Sequence, residues 1–503
     1  MEEVTLNGGA LTIEDVAAIA AGAKVAIGDE GCRKARESRA TLEKLEQSGT
    51  AIYGVNTGFG ALKSVRVPPQ EAVDLQRNLI RSHAVGVGEP LTREETRAAM
   101  ALLAASHLRG ASGIGPEAAE LIVALLNRGQ LPSIPSKGSL GASGDLAPLA
   151  HLALALIGEA DVTAPDGKTG KVGDFGLAPL VLTSKAGLSL INGTHVHAGL
   201  AALALRDAAV LAKAADIACA MAVEAMLCSV QPFRADVHAL RPQRGQVVSA
   251  ANITRLVEGS ALVQSHANCG EVQDAYSIRC AAQVHGAARQ AITHAHDVVT
   301  TELGCVTDNP LVVGEEVISA GHFHGEPVGL AMDYLKIGIS ELAAISERRS
   351  ERALNKDYNR GLPAFLASDP GLESGMMICQ YTAAALVSEN KVLCHPSCVD
   401  SITTGANQED HVSMAQNAAL HARRVSENVR RVLAIELLVM AQALDCRGAL
   451  QPDRPGDGVA AAYEAIRAQS PMLTADRPLS GDIESLDLVM IVGAAEKEIG
   501  ELV

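Results

Sequence analysis

Apolar residues recur at helical spacing along most of the chain. Glu14 to Ala21 and Lys34 to Glu46 read as modest amphipathic helices, with further helices over Arg93 to His107 and Pro116 to Leu126. Pro69 opens another, in which Ala72, Leu75, Leu79 and His83 share one stripe at spacings of three, four and four residues. His83 on that stripe points inward, and Gly86 and Gly88 end the segment. From Gly193 onward long Ala/Leu-rich helices take over, at 198–230, 328–356, 373–393 and 410–446. Lengths of that order suit a bundle with a shared core.

The segments between these helices have a different character. Tyr53 to Gly60 is punctuated by glycines, and Pro132 to Gly144 is rich in Pro, Gly and Ser. Asp145 is placed to cap the next helix, where Pro148 is tolerated in the first turn. Residues 161–176, with many Gly and Asp, predict a surface excursion with a short hairpin. No repeat or low-complexity linker divides the chain, so the expected boundary is a soft one near 190. It separates a smaller mixed N-terminal region (1–190) from a central long-helix bundle with a helical tail (191–503). The expected fold class is mainly α.

Composition sharpens this. Of 503 residues 48% are hydrophobic but only 2% aromatic, with no Trp, so the core is built from Ala, Leu, Val and Ile. That favours close-packed helices over an all-β fold. A net charge of −16 disfavours nucleic acid or an anionic membrane as partner. The start, Met1-Glu2-Glu3-Val4, lacks the basic and apolar regions of a signal peptide. The most apolar stretch, Ala208 to Cys228, carries Lys213, Asp216 and Glu224, so it reads as a buried helix rather than a membrane span. Ten scattered cysteines are read as reduced thiols in the cytoplasm.

The candidate chemistry centres on Gly138-Ser139-Leu140-Gly141-Ala142-Ser143-Gly144-Asp145-Leu146-Ala147-Pro148-Leu149-Ala150-His151. A tight turn at Ala-Ser-Gly can bring the amide nitrogen of Gly144 onto the carbonyl carbon of Ala142, because glycine has no Cβ to block the approach. Loss of water closes a five-membered ring, and dehydration of Ser143 adds an exocyclic methylene, giving a strong electrophile. A helix starting at Asp145 would aim backbone donors at the ring oxygens. The tripeptide alone proves nothing, since Ala111-Ser112-Gly113 is a second copy. On spacing, a plain flexible loop stays open.

The whole string closely resembles the signature of the aromatic amino-acid lyase family, whose cofactor is 4-methylideneimidazol-5-one (MIO). The resemblance extends to Tyr53–Gly60, Ser82-His83, Leu190-Ile191-Asn192-Gly193-Thr194, Gln273–Arg279, Phe323–Pro327 and Ala406–Met414, and so covers nearly the whole chain. It implies a fumarase/aspartase-like architecture and a homotetramer whose sites each draw on three chains. It also implies that Ala142, Ser143 and Gly144 form the cofactor, whose methylidene adds to the substrate amine, and that no metal is needed.

Residue by residue, Tyr53 matches the family tyrosine that takes the β-proton, a task for which a phenol, ordinarily with a pKa of about 10, would have to be lowered by its surroundings. Arg279 matches the residue that clamps the substrate carboxylate, a task suited to a bidentate guanidinium. Asn192 and Tyr276 match the pair near cofactor and amine, and Phe323 a ring lining the pocket. Gln273, Tyr276 and Arg279 are three apart, so on a helix they would sweep about 120° and face one site.

Histidine-specific members of the family combine a His at the position of His83 with a Glu in Asn-Gln-Glu-Asp-His, here Glu409 within Asn407-Gln408-Glu409-Asp410-His411. An imidazole has two nitrogens that each need a partner when buried, which such a pair provides. The implied substrate is histidine. A tyrosine ammonia-lyase or aminomutase, or a lyase for a modified histidine, is the alternative, since His195, His197, His322 and Gly405 depart from the usual histidine-specific pattern. A metal hydrolase is a remote reading of the pairs His195/His197, His294/His296 and His322/His324, because residues two apart diverge by about 200° on a helix. Cys394-His395-Pro396-Ser397-Cys398 reads as a turn. A non-catalytic helical scaffold is the last alternative.

Overall fold

The computed structural model of the chain describes residues 3–49 and 51–503. Helices dominate, as the periodicity and the lack of aromatics require. The expected long helices form over His195–Ala225, Glu326–Leu354, Met377–Leu393 and Ala415–Leu450, joined by Ala281–Glu302. Alanine lets their backbones approach closely, and nearly every Ala and Leu of His195–Ala225 is buried.

The chain divides into two compact units. The first comprises Met1–Arg206, Ala295–Asp333 and Pro396–Arg423. At its centre the helix Arg93–Leu108 is buried from Glu95 onward and packs against Ile13–Ala20 and Glu117–Arg128. Its start is fixed by a capping box: Glu95 N–H donates to Thr92 Oγ1 and the Glu95 carboxylate accepts from Thr92 N–H. This unit holds the small sheets. They are a parallel pair (Val4–Leu6 with Val25–Ile27), two antiparallel pairs (Val87–Pro90 with Pro135–Lys137, Leu311–Val313 with Glu316–Ile318) and one three-stranded sheet. The last contains the hairpin expected at 161–176, Val162–Thr163 against Thr169–Gly170.

The second unit comprises Asp207–His294, Tyr334–His395 and Arg424–Val503, and is helical. Its interior carries a polar chain. Arg349 and Glu436, both fully buried, form a bidentate ion pair. Arg349 also reaches His285 Nε2, and His285 Nδ1 stands 2.7 Å from Asp216, which also receives Arg289 and Asn252. Burial pushes His285 below its ordinary range; burial opposes ionisation of Asp216, but the charge of Arg289 together with the His285 and Asn252 contacts outweighs it and holds the carboxyl below its ordinary range. Among the described residues no helix is long and apolar enough to cross a membrane, and all ten cysteines are free thiols.

Two local expectations are overturned. Asp145 precedes the helix Leu146–Leu156, yet its side chain does not cap it; the carboxylate is drawn instead to the start of His195–Ala225. Gln273 is not helical: the helix there is the single turn Tyr276–Arg279, so a common helical face for Gln273, Tyr276 and Arg279 does not exist.

Candidate active site

The Ala142-Ser143-Gly144 segment is held as a taut loop from both sides. Gly325 N–H donates to Gly141 O, Met414 N–H to Leu140 O, and Ser139 Oγ to both Gly144 O and Asp145 Oδ1. Gly144 has φ +71° and lies so close to Gly193 that a Cβ would meet the Gly193 carbonyl oxygen at 2.1 Å. No other residue fits there. Gly193 in turn points its N–H at Ser143 O (3.5 Å) and accepts from Asp145 N–H (2.8 Å).

Asp145 explains how the loop is anchored. It is fully buried and accepts from the backbone amides of Val196 and His197 and from Ser139, while His197 Nδ1 stands 2.9 Å from its Oδ1. The two amides belong to the first turn of His195–Ala225, where the positive end of the helix favours an anion. Burial alone would raise the carboxyl, but the His197 charge and these donors outweigh it and hold it below its ordinary range. Burial would likewise lower His197, but the Asp145 charge, its hydrogen bond and the charge of Glu302 together outweigh it and raise the imidazole. Asp145 and His197 are therefore read as an ion pair.

Ser143 opens on a cavity with two adjoining chambers, of about 570 and 580 Å³, each ample for an amino acid. Tyr53, Gly60, Ser143, Asn192 and Glu409 line both. One chamber adds His83, Leu75, Leu79 and Leu188; the other adds Phe323, His324 and His411. Ser143 Oγ donates to Glu409 Oε1 at 2.9 Å, and Thr404 Oγ1 to Glu409 Oε2 at 2.7 Å. Gly60 N–H donates to the Tyr53 hydroxyl oxygen at 3.0 Å, an arrangement that suits an oxygen gaining negative charge. His83 Nδ1 lies 2.8 Å from Leu79 O, which makes Nδ1 the protonated nitrogen and leaves Nε2 as an acceptor. Asn192 is buried with an Oδ1 that has no donor, an orphan beside Ser143 of the kind a ligand satisfies.

Tyr53, His83, Asn192, Phe323 and Glu409 thus gather around Ser143. Gln273, Tyr276 and Arg279 do not: they belong to the second unit and line neither chamber. Gln273 and Tyr276 are exposed, and Arg279 stacks on the Tyr276 ring at 4.7 Å with an Nε that has no partner. His322, expected near the pocket, is exposed and lines neither chamber. His195 is buried behind Gly193, and burial pushes its imidazole down to about 3, so it is neutral.

The duplicate tripeptide is of another kind. Ser112 is fully buried and faces no chamber; its carbonyl accepts from Lys185 Nζ and Ser189 Oγ. Lys185, also buried, pairs with Asp308 at 2.6 Å, and burial holds the ammonium below its ordinary range against that carboxylate. This cluster fixes the start of the helix Ala186–Ile191, which ends on Asn192. A second support is Gln76, whose amide donates to Gly54 O and accepts from Leu188 N–H, tying the Tyr53 loop to that same helix. Sequence reasoning passed over Gln76, Thr404 and Lys185. The available signal was Gln76, one polar residue at a buried position of the 72–83 helix.

The aromatic amino acid lyase family model matches residues 11–468. A histidine ammonia-lyase of Gloeobacter violaceus is 49% identical over 510 residues, covering 99% of this chain and 98% of the relative. Among solved structures, tyrosine aminomutase from Streptomyces globisporus superposes with TM-score 0.91 at 37% identity, covering 100% of both chains. Histidine ammonia-lyase from Trypanosoma cruzi superposes with TM-score 0.90 at 41% identity, covering 99% of this chain and 95% of the other. The family model over residues 11–468 and a relative 49% identical over 99% of the chain make this protein a member of the aromatic amino acid lyase family.

Proposed function

We propose that the chain deaminates L-histidine to trans-urocanate and ammonia, using an MIO group formed from Ala142, Ser143 and Gly144. The observation that carries the substrate is that His83 and Glu409 line one chamber with Tyr53, Ser143 and Asn192. The residues fit such a cofactor: Ser143 opens on the cavity, Gly144 is left-handed and pressed on Gly193, and Asn192 Oδ1 lacks a donor. A ring closure of Gly144 N onto the Ala142 carbonyl and an elimination from Ser143, each releasing water, account for the group without an added cofactor. When formed, it supplies an electrophile for the substrate amine, a role the protein's own side chains cannot fill.

The side chains supply the rest. His83 Nε2 and a Glu409 oxygen are two acceptors, suited to an imidazolium with two N–H groups; a positive ring acidifies the β-proton. Tyr53 takes that proton through its hydroxyl oxygen, which the Gly60 amide holds in place. Asn192 offers the amine an acceptor. Arg279, Tyr276 and Gln273 serve the substrate carboxylate and amine from neighbouring chains, which makes the working enzyme a homotetramer with shared sites. Ten free thiols support a cytoplasmic location.

Ultraviolet detection of urocanate tests this reading. The wild type should convert histidine and leave tyrosine unchanged, and Ser143→Ala should be inactive. Turnover of tyrosine without urocanate from histidine would move the chain to the aminomutase or tyrosine-lyase alternative; a fully active Ser143→Ala would remove the electrophile from the mechanism.

A further inference from the structure

His324, Glu326 and His411 each bring one ligating atom within 4.8 Å of the others. None of them has a role in the chemistry above. The two imidazoles lie parallel, with centroids 5.7 Å apart and planes 3° from coplanar orientation. Glu326 Oε2 is shielded from solvent, has no hydrogen-bond donor, and stands 3.7 Å from His411 Nε2. That separation is too long for a hydrogen bond. It is close to the roughly 3.4 Å between two ligands of a tetrahedral ion with bonds of about 2.0–2.2 Å.

We propose that His324, Glu326 and His411 bind a divalent transition-metal ion of the zinc class. Two imidazoles and one carboxylate form a borderline nitrogen and oxygen donor set that suits zinc and its neighbours and disfavours calcium and magnesium. The contacts His324 makes now are weak enough to yield: Glu326 N–H to Nδ1 and Nε2 to His411 O, both at 3.3 Å. The carboxylate and the dication leave one positive charge, and exposed His411 allows entry of the ion and a water as fourth ligand. The local pair His322-x-His324 is not the donor set, because His322 is exposed and His411 lies 87 residues along the chain.

The placement suggests a brace. His324 follows Phe323, and His411 follows Glu409 by two residues; Phe323, His324, Glu409 and His411 all line one chamber. An ion joining them ties the segment bearing Phe323 to the segment bearing Glu409. The inference rests on donor geometry and stands apart from the lyase mechanism.

The test uses the untagged full-length protein, stripped with chelator, then titrated with Zn²⁺ by calorimetry and with Co²⁺ by visible absorption. One ion per chain should bind saturably, with a Co²⁺ spectrum of low coordination number. His411→Ala and Glu326→Gln should each raise Kd at least about tenfold, whereas His322→Ala and Ser143→Ala should leave it unchanged. His411 lines the cavity and Glu326 stands 3.7 Å from His411, and circular dichroism checks that each variant is folded. Absence of saturable binding, or equal binding in His411→Ala and Glu326→Gln, would overturn the proposal, whatever the substrate of the lyase site proves to be.

Discussion

Ser143 Oγ donates to Glu409 Oε1 at 2.9 Å, so the serine proposed to become the electrophile engages the carboxylate proposed to receive the substrate ring. On that proposal, dehydration of Ser143 would remove the hydroxyl and release Oε1. Glu409 then keeps only the Thr404 bond, on its other oxygen. Glu409→Gln preserves shape but loses the charge, and a hydrogen bond to a charged group contributes about 1.5–3 kcal/mol. Steady-state kinetics on histidine should show kcat/KM lowered by roughly ten- to hundredfold, with the thermal midpoint nearly unchanged.

Tyr53→Phe removes one oxygen and keeps the ring, which packs edge-on against Phe59 with centroids 6.3 Å apart. A positioned general base contributes about 10²–10⁴-fold. The loss should fall on kcat in that range, with KM within a few-fold of wild type. A fall in KM affinity alone would assign Tyr53 to binding.

Arg279 and Tyr53 belong to different units, and only Tyr53 lines the cavity. If neighbouring chains complete each site, Arg279→Ala and Tyr53→Phe should each be nearly inactive alone. Mixed by unfolding and refolding together, they should recover up to about one quarter of wild-type activity, because random assembly places both intact residues in that share of sites. No recovery would mean that each chain supplies both residues to its own site.

Glu224 gives a pH signature remote from the chemistry. Burial pushes its carboxyl up to about 7, with the Gly456 amide opposing at 2.7 Å. Between about 4.5, where the unfolded group titrates, and about 7, the folded chain binds a proton that the unfolded chain has released. Stability therefore falls as pH rises through that window. Glu224→Gln keeps the acceptor for Gly456 and cannot ionise. Denaturant melts should show it more stable than wild type above pH 7 by on the order of 2–3 kcal/mol, and equal to it below about pH 4.5.

The helices and their approximate ends were legible because period and length carry that information locally. The Ala142-Ser143-Gly144 loop was legible for a different reason: Gly138, Gly141 and Gly144 all take positive φ, a backbone demand that shows in residue type. Positioning contacts were not legible. Gln76 and Leu188 are 112 residues apart, and Lys185 and Asp308 are 123 apart, so no spacing rule joins them. Asp145 was misassigned because an aspartate before a helix normally caps it, whereas here the tertiary partners at 196 and 197 compete more strongly. The same limit hid the histidine pairing: His324 meets His411, not its sequence neighbour His322.

Ala111-Ser112-Gly113 has a consequence for mutational surveys. Buried under Lys185 and Ser189, it carries weight as a structural joint, so substitutions there should deplete the folded protein from the cell. Substitutions of Ser143 should instead leave abundance intact and abolish specific activity. A growth screen would score the two tripeptides alike; protein level measured beside growth would tell a broken joint from a missing reagent.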